Sequence, residues 1–435
     1  MKRLPLALVV LLLASTAFAK NGAFRATAHG DTVKGPDRRT DVPRGSCVQC
    51  HEEHASHAAA ARDDRGLFTS NDNELCFACH PAATESGIFP GAVEWQQSAH
   101  ALSTSAANRC DGCHDAHGVR DAAGVIPAML REREPELCLR CHDGSRGAAD
   151  IRSEMRKPYA HAREARGAHD PHEGNDRALP RHAACSDCHN PHRAMTQVIP
   201  PQAPEASSRL AGVSRVESAA IAAGVTPLFT WRAGGDATAP NEYEICFKCH
   251  SSWTRQPPGQ DDIALQTSTA SRSFHPIQAG GRNRHIDRAA FTGDWDADSR
   301  VSCTDCHSSD DDRVRGPHGS SYPHLLRKPL PSDGEPASRG DLCFECHAYD
   351  VYADPAATES IQRASRFSVS GHTFHAGTQQ IACASCHEVH GSAREEALIS
   401  TRRMPGIRAY TQTQAGGTCT STCHSTKSYS ASYAR

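Results

Sequence analysis

The stretch QIACASCHEVHGS, residues 380–392, places Cys383, Cys386, His387 and His390 within eight residues. Side chains of these two types are seldom this crowded unless a metal or a cofactor holds them together. The first three form the pattern Cys-x-x-Cys-His, which recurs along the whole chain. We therefore ask what the recurring pattern binds and what the additional histidine at position 390 does.

The 20 cysteines of the chain fall into pairs, and each pair is followed directly by a histidine. The last pair, in CTSTCH at residues 419–424, is separated by three residues, and every other pair by two. The paired cysteines are Cys47 and Cys50, Cys76 and Cys79, Cys110 and Cys113, Cys138 and Cys141, Cys185 and Cys188, Cys246 and Cys249, Cys303 and Cys306, Cys343 and Cys346, Cys383 and Cys386, and Cys419 and Cys423. The histidines that follow them are His51, His80, His114, His142, His189, His250, His307, His347, His387 and His424.

This pattern is typical of covalent attachment of c-type haem. In that chemistry two thiols add to the two vinyl groups of one haem, and the adjacent histidine binds the iron from the proximal side. Disulfide bonds, the ordinary expectation for cysteines in an exported chain, would place no constraint on the residue after each pair. Zinc uses the same side chains but fits an invariable histidine after the second cysteine poorly. The sequence therefore predicts ten covalently attached haem c groups, and CTSTCH is the motif that departs from the pattern.

The aliphatic content of the chain is low for a folded protein. Leu, Ile, Val and Phe together make up 63 of 435 residues, whereas chains below roughly 20% of these residues usually fail to build a core. Flat, largely apolar haem groups would supply the missing interior. We therefore expect the chain without haem to be largely unfolded. The net charge of −3 gives no indication of a nucleic-acid partner.

The motifs alternate between two types, which predicts five two-haem units. Odd-numbered motifs are mostly trailed by a histidine three residues on, as in CHEEH and CHDAH, whereas even-numbered motifs follow an acidic and an aliphatic residue, as in NELCFACH. The acidic residue suits the first turn of a short helix. The predicted units are residues 20–95, 96–155, 156–265, 266–365 and 366–435, with a long insertion near 195–240 that we expect to be a surface excursion.

Residues 1–19, MKRLPLALVVLLLASTAFA, have the basic start, apolar run and small-residue end of a secretory signal peptide. No later segment approaches the ~18 apolar residues that a membrane span needs. We therefore expect an exported chain whose mature part has no transmembrane span, located in the periplasm or outside the cell at its surface.

The alternating motifs, together with phrases such as RHAACSDCHNPH, EICFKCHSS, GPHGSSYPHLLR and IACASCHEVHGS, resemble those of the multihaem c-type cytochromes with doubled CxxCH motifs found in respiring and metal-reducing bacteria. The resemblance implies short helices and loops wrapped around a stacked chain of haems, with some α and almost no β structure. It also implies electron transfer through closely packed haems that are each bound by two histidines. The motif CHSSDDD departs from the pattern because it lacks the trailing histidine, and His318 in GPHGS is the natural substitute.

The histidine that trails an odd motif must serve another haem or none, because its neighbour already occupies one side of its own haem and the ring blocks the other. The chain has 17 histidines outside the motifs, enough to supply a second, distal ligand to every iron. The predicted distal ligands are His29, His54, His100, His117, His161, His192, His275, His318, His375 and His390, with His182, His285 and His372 as alternates.

If two histidines bind every iron, no position is vacant for a substrate, and the chain is an electron conductor rather than an enzyme. Such haems would lie at low potential. A reductase of nitrogen or sulfur oxyanions is the alternative, and it would need one haem with a vacant position. The expected partners are redox proteins or a quinol-linked donor and an outer acceptor. Assembly with an outer-membrane porin-cytochrome conduit, or self-association into filaments through a histidine such as His29, also remains open.

Overall fold

The computed structural model describes residues 23–52, 66–84, 89–103, 108–146, 148–161, 183–196, 201–235, 239–254 and 259–433. The predicted signal peptide lies outside the described residues, as do the predicted ligand His54 and the alternate His182. All ten Cys-His motifs are described.

Most helices are single turns, and many of them are the haem-attachment motifs. In odd motifs such as the one at Cys383–Cys386, the turn begins at the first cysteine and ends at the second, which puts the two thiols three residues apart on one side. The following His387 is extended (φ −117°, ψ 140°). The α-helices are α1 (Asn73–Phe77), α2 (Ala92–Trp95), α3 (Ala99–Leu102), α4 (Cys110–Cys113), α5 (Glu136–Leu139), α6 (Ile151–Glu154), α7 (Cys185–Cys188), α8 (Glu242–His250), α9 (Ile263–Gln266), α10 (Cys303–Cys306), α11 (Tyr349–Tyr352), α12 (Glu359–Gln362) and α13 (Cys383–Cys386).

The acidic residues before the even motifs act at helix starts, as the sequence predicts. Asp72 caps α1 by accepting a hydrogen bond from the main-chain nitrogen of Glu74. At α8, the Glu244 carboxylate accepts from the main-chain nitrogen of Asn241 at 3.2 Å, closing a capping box. Further short turns are 3₁₀ segments at Cys47–Gln49, Pro127–Met129, Ser208–Leu210, Arg288–Ala290, Pro323–Leu325 and Leu342–Glu345, and a π-helical segment at Thr373–Thr378.

The β structure consists of small, separate antiparallel sheets. The largest has the strand order β11-β10-β9 near the carboxyl terminus, and the remaining strands form two-stranded ladders, β1 with β2, β3 with β7, β4 with β5 and β6 with β8. The strands are β1 (Arg120–Asp121), β2 (Gly124–Val125), β3 (Tyr159–Ala160), β4 (Arg215–Ala219), β5 (Leu228–Arg232), β6 (Ser273–Phe274), β7 (Gly319–Ser320), β8 (Gly391–Ser392), β9 (Ile407–Thr413), β10 (Gly416–Ser421) and β11 (Lys427–Ser430).

The predicted insertion folds as the β4–β5 hairpin. Val216 on β4 is fully buried against Phe247 of α8, and Trp231 and Trp253 stack on each other with ring centroids 6.3 Å apart. The hairpin therefore packs on the attachment helix at one end, while residues 219–226 at its other end are exposed. A second small cluster surrounds Ala290 and Val351.

These clusters are small, and few large apolar side chains in the described residues are fully buried. The predicted fold class, short helices and loops with little regular secondary structure, is confirmed. None of the helices in the described ranges is long and apolar enough to cross a membrane.

Candidate haem-binding sites

The ten motifs follow one another in space in the order in which they occur in the sequence. Between units, the first cysteine of an even motif contacts the first cysteine of the next odd motif, as Cys76 does Cys110. Within a unit, the second cysteine of the odd motif neighbours a cysteine of the even motif, as Cys50 neighbours Cys79. The other contacts between units are Cys138–Cys185, Cys246–Cys303 and Cys343–Cys383. The other neighbouring cysteines within units are Cys113 and Cys141, Cys188 and Cys249, Cys306 and Cys346, and Cys386 and Cys423.

Nine of the ten motif histidines face one histidine from elsewhere in the chain. In these nine pairs the ring centroids are 5.9–6.4 Å apart. The pairs are His51–His117 (6.0 Å), His80–His29 (6.1 Å), His114–His192 (6.0 Å), His142–His100 (6.2 Å), His189–His318 (6.1 Å), His250–His161 (6.4 Å), His307–His390 (5.9 Å), His387–His372 (6.1 Å) and His424–His375 (6.4 Å).

The remaining motif histidine, His347 of the eighth motif, neighbours His275. Burial, followed by the charge of His275, lowers the pKa of His347 to about 4. The assignment of this pair rests on this proximity and on the pattern of the other nine pairs.

This spacing suits an iron between two imidazoles. A metal–imidazole bond of about 2 Å on each side, plus roughly 1 Å from each nitrogen to its ring centre, gives a centroid separation of about 6 Å. Aromatic rings in ordinary contact cover the wider range of about 4.5–7 Å. The narrow spread of the nine values around 6 Å therefore fits a common inserted group better than chance ring packing.

The partner histidines obey two rules. The histidine after an odd motif faces the motif histidine two motifs earlier, as His390 of the ninth motif faces His307 of the seventh. The histidine upstream of an odd motif faces the histidine of the following even motif, as His29 faces His80. Trailing histidines therefore join successive units, and upstream histidines complete their own unit.

The last unit departs from the first rule. The partner of His387 is His372, which the sequence offered only as an alternate to His375. The structure uses both, since His375 faces His424. Of the other candidates, His285 is exposed, and His54 lies outside the described residues.

A main-chain oxygen orients the motif histidine in most odd motifs. The Nδ1 nitrogen of His114 lies 2.9 Å from the oxygen of Ala128, and that of His387 lies 2.9 Å from the oxygen of Ala397. Such a contact fixes the proton on Nδ1 and leaves Nε2 available as a ligand. The equivalent contacts of His189 and His307 are to Arg209 (3.2 Å) and His324 (2.7 Å).

The accepting residues lie in an unusual backbone conformation that the sequence analysis missed. Ala128, His324 and Ala397 all have φ between 52° and 60°, as do the residues that directly follow them. Residues other than glycine seldom adopt this left-handed conformation. Its recurrence after three odd motifs indicates a shared device for presenting the carbonyl oxygen. The related phrases IPAMLR and YPHLLR were the available sequence signal.

The upstream histidines are oriented through the trailing segments. The Nδ1 nitrogen of His161 lies 2.8 Å from the oxygen of Pro317, the residue directly before His318. Strands β3 and β7, next to these two histidines, pair and hold the segments together. In the same way β6 pairs with β8 beside His275 and His390. One backbone segment thus positions the partner histidines of two neighbouring motifs.

The paired histidines of the sixth to tenth motifs line a large cavity. A continuous cavity of about 2600 Å³ extends past the histidines and cysteines of the sixth to tenth motifs, against about 300–1,000 Å³ for an ordinary small-ligand pocket. Burial lowers the pKa of His318 and His390 to about 4 and raises that of the Cys188 and Cys306 thiols to about 12. The His318 and His390 imidazoles are therefore neutral at pH 7, the form that binds iron, and the residues present fit haem.

The four-ligand cluster that structural zinc needs is not formed by the described side chains. No group of three or more His, Cys, Asp and Glu residues in the described ranges is arranged to hold a metal ion. The histidines instead form pairs, and the motif cysteines lie beside the gap between the two rings of a pair.

One buried cation lies at the junction of the fifth and sixth motifs. Lys248 is 2% exposed, and its amine donates hydrogen bonds to the main-chain oxygen of Asp187 and, at 3.2 Å, to the hydroxyl of Ser214. Its charge lowers the pKa of the Cys188 and Cys249 thiols, against the larger effect of burial. Lys248 is thus close to attachment cysteines of two neighbouring motifs.

Comparison with known proteins supports the same chemistry. The doubled CXXCH motif family matches residues 40–85, 103–147 and 297–351. A curated relative, the multiheme cytochrome MtrA of Shewanella baltica (strain OS185), is 25% identical over 157 residues, which are 34% of this chain and 36% of that protein. The chain therefore spans about a third of the length of this relative. No solved structure matches the chain significantly.

The recurring motifs, the mostly loop-built fold and the family match agree on one class of protein. Each motif has two thiols and a histidine in the arrangement that attaches haem covalently, and the family match covers motifs in three regions of the chain. The chain therefore has the doubled CXXCH motifs of a multihaem c-type cytochrome, the motifs that attach haem c covalently.

Proposed function

We propose that this protein is an exported conductor of electrons that has ten haem c groups, each bound by two histidines of the same chain. The observation that carries the proposal is the pairing of the motif histidines, nine of them with ring centroids 5.9–6.4 Å apart and the tenth by proximity of His347 to His275. Haem supplies an iron that alternates between the ferric and ferrous states.

The polypeptide positions the haem groups, and the haem iron carries the electron. First cysteines of neighbouring units contact each other and cysteines within a unit are neighbours, so haems attached to them would follow one another in sequence order. The pairing of Cys343 with Cys383, for example, brings the eighth and ninth motifs together. The first and tenth motifs are then the two ends of the path. Electrons enter at one end and leave at the other, without a bound substrate.

The two remaining alternatives have less support. A reductase would need an iron with a vacant position, yet each motif histidine has a partner, including His424 of the unusual tenth motif. A filament completed by His29 of a neighbouring molecule would need that side chain to be free, yet it faces His80 of its own chain. Export rests on residues 1–19, and the expected partners are a redox protein or quinol-linked donor and an outer acceptor.

Two measurements test the proposal. Mass spectrometry of the holoprotein should give the mass of the chain from Lys20 onward plus ten haems. The ferric protein should show only low-spin signals in electron paramagnetic resonance, because two imidazoles give a strong ligand field, and cyanide or nitrite should not bind. A high-spin signal that responds to nitrite would favour the reductase, and nine haems would exclude the tenth motif from the path.

A further inference from the structure

We propose that the sheet β9–β11 is the docking face for an acidic redox protein, which exchanges electrons with the protein at the tenth motif. The inference rests on the proposed function, since it requires a haem attached to Cys419 and Cys423. It adds the kind of partner and the surface that receives it.

The tenth motif lies on a sheet instead of a helical turn. Cys419 is in the middle strand, where it pairs with Tyr410 of β9 and Lys427 of β11. Cross-strand partners present their side chains on the same face of a sheet, so the Lys427 amine and the Cys419 sulfur share one face. Cys423 and His424 follow at the exposed end of β10. A group attached here is within reach of a partner at the surface.

The surface around this motif is basic. The sequence after Glu396 has no Asp or Glu but includes Arg402, Arg403, Arg408 and Lys427. Arg408 and Lys427 are exposed. Neither of these two forms an ion pair with any residue in the described ranges. Both charges are therefore available to a partner.

The acidic groups near the sheet are already engaged by cations or hydrogen bonds. Glu388 is shared by Arg402 and Arg403, at 3.3 and 3.8 Å. Glu396, next to β9, lies 3.8 Å from Arg272. Asp333 accepts hydrogen bonds from Ser385 and Ala382.

Arg366 is a further cation near the sheet. Arg366 donates to the main-chain oxygens of Thr413 and Gln414, at 2.8 and 2.9 Å, at the turn between β9 and β10. Glu388 and Glu396 are paired with arginines, whereas Arg366, Arg408 and Lys427 form no ion pair within the described ranges, so this face is basic.

A basic face of this kind fits an acidic protein. Complementary charge raises association rates by about 10–10³-fold and the gain falls as salt is added. Stable attraction to an anionic membrane usually needs a cluster of about four to eight cations, more than the three cations without a carboxylate partner here.

The test uses a purified acidic flavodoxin in its hydroquinone form as the probe. In the reaction, the anionic flavin hydroquinone loses one electron to become the neutral semiquinone, and one ferric haem iron becomes ferrous. The second-order rate constant is measured by stopped flow at several salt concentrations. We expect the Arg408→Glu/Lys427→Glu double variant to react at least tenfold more slowly at low salt, with a flatter salt dependence.

The matched control is the double variant Lys34→Glu/Arg120→Glu. It makes the same change in charge at exposed residues near the first motifs, and it should react within about twofold of the unaltered protein. An equal loss in the control, or no loss in either variant, would overturn the proposal. So would binding to anionic phospholipid vesicles that needs Arg408 and Lys427, combined with an unchanged flavodoxin rate.

Failure of the docking face can be told apart from failure of the proposed function. The haem content of each variant is first measured by mass spectrometry. The variant is then fully reduced with dithionite, a small reductant that needs no docking face. Ten haems and complete reduction with an unchanged flavodoxin rate refute the docking face alone, whereas a missing haem in the unaltered protein refutes the ten-haem path.

Discussion

The Nδ1 nitrogen of His275 lies 2.7 Å from the main-chain oxygen of Val389, the residue directly before His390. His275 neighbours the eighth motif and His390 faces the seventh, so one contact ties together the partner histidines of adjacent motifs. The same relation holds in every unit, in the contacts of His29 with Ala116, His100 with Pro191, His161 with Pro317 and His375 with Gly371. Each unit therefore depends on a segment that, except in the last unit, belongs to the next one.

The first prediction concerns the trailing histidine that opened the sequence analysis. His390→Ala should leave a single iron, the one bound by His307, with one imidazole, because the two rings face each other at 5.9 Å. We expect one high-spin haem per molecule in the ferric protein and one new site for cyanide or imidazole, measured by electron paramagnetic resonance and titration.

The control for this variant is His285→Ala. His285 is exposed and lies in the same unit as the seventh motif, so its removal should leave all haems low-spin. If His390→Ala also stayed fully low-spin, another side chain would have to bind that iron and the pairing rule would be wrong.

The second prediction tests whether His372 or His54 is a distal iron ligand. Because His372 faces His387, His372→Ala should produce one high-spin haem. The sequence alone favoured His54 as one of the ten distal ligands, but the described residues already supply a partner for each motif histidine. We therefore expect His54→Ala to retain ten low-spin haems. The opposite pair of results would restore His54 to the ligand set.

The attachment chemistry could be predicted from the sequence, whereas the pairing could not. Cysteines and the adjacent histidine act locally, so the spacing within CASCH suffices to identify them. The partner of His307 lies 83 residues away in sequence, at His390, and no local pattern specifies such a distance. The left-handed turn at Ala397 was equally hidden, because alanine gives no sign of a positive φ. The β4–β5 hairpin depends on burial of Val216 against Phe247, which the composition of the insertion did not indicate.

The third prediction concerns Gly391, which directly follows His390. A Cβ atom at this position would lie 2.0 Å from the main-chain oxygen of Gln266. That residue's side chain also contacts His390, whose Nδ1 lies 3.1 Å from Oε1. Because backbone atoms cannot rotate away, Gly391→Ala should destabilise the fold by about 1–3 kcal/mol and partly detach His390.

The measurements are the midpoint of thermal unfolding and the high-spin fraction of the ferric protein. Gly281→Ala is the matched control, because its added carbon would meet nothing closer than 3.9 Å and should change neither quantity. A normal spectrum in Gly391→Ala would show that the segment tolerates displacement without loss of the ligand.

The fourth prediction concerns the buried amine of Lys248. A cation stabilises the ferrous state of a nearby haem over the more positive ferric state, so Lys248→Met should lower the potentials of the fifth and sixth haems. Through an effective dielectric constant of about 20, one charge at such range is worth on the order of 1 kcal/mol, or several-fold in the reduction equilibrium. Spectroelectrochemical titration should show two components moving downward. Lys34→Met, at an exposed position, should move none, and an unchanged titration of Lys248→Met would mean that the charge is compensated.

The fifth prediction is that the protein without haem does not fold. The clusters around Phe247 and Val351 bury few side chains, and the cavity of about 2600 Å³ would otherwise be filled by water against largely apolar walls. Folding must offset about 1–2 kcal/mol of backbone entropy per residue, and this core is too small to do so. Chain produced without haem attachment should therefore show a disordered far-ultraviolet circular dichroism spectrum and no cooperative thermal transition, whereas the holoprotein shows both order and a transition. A cooperative transition in the haem-free chain would mean that the polypeptide alone specifies the fold and that haem merely occupies it.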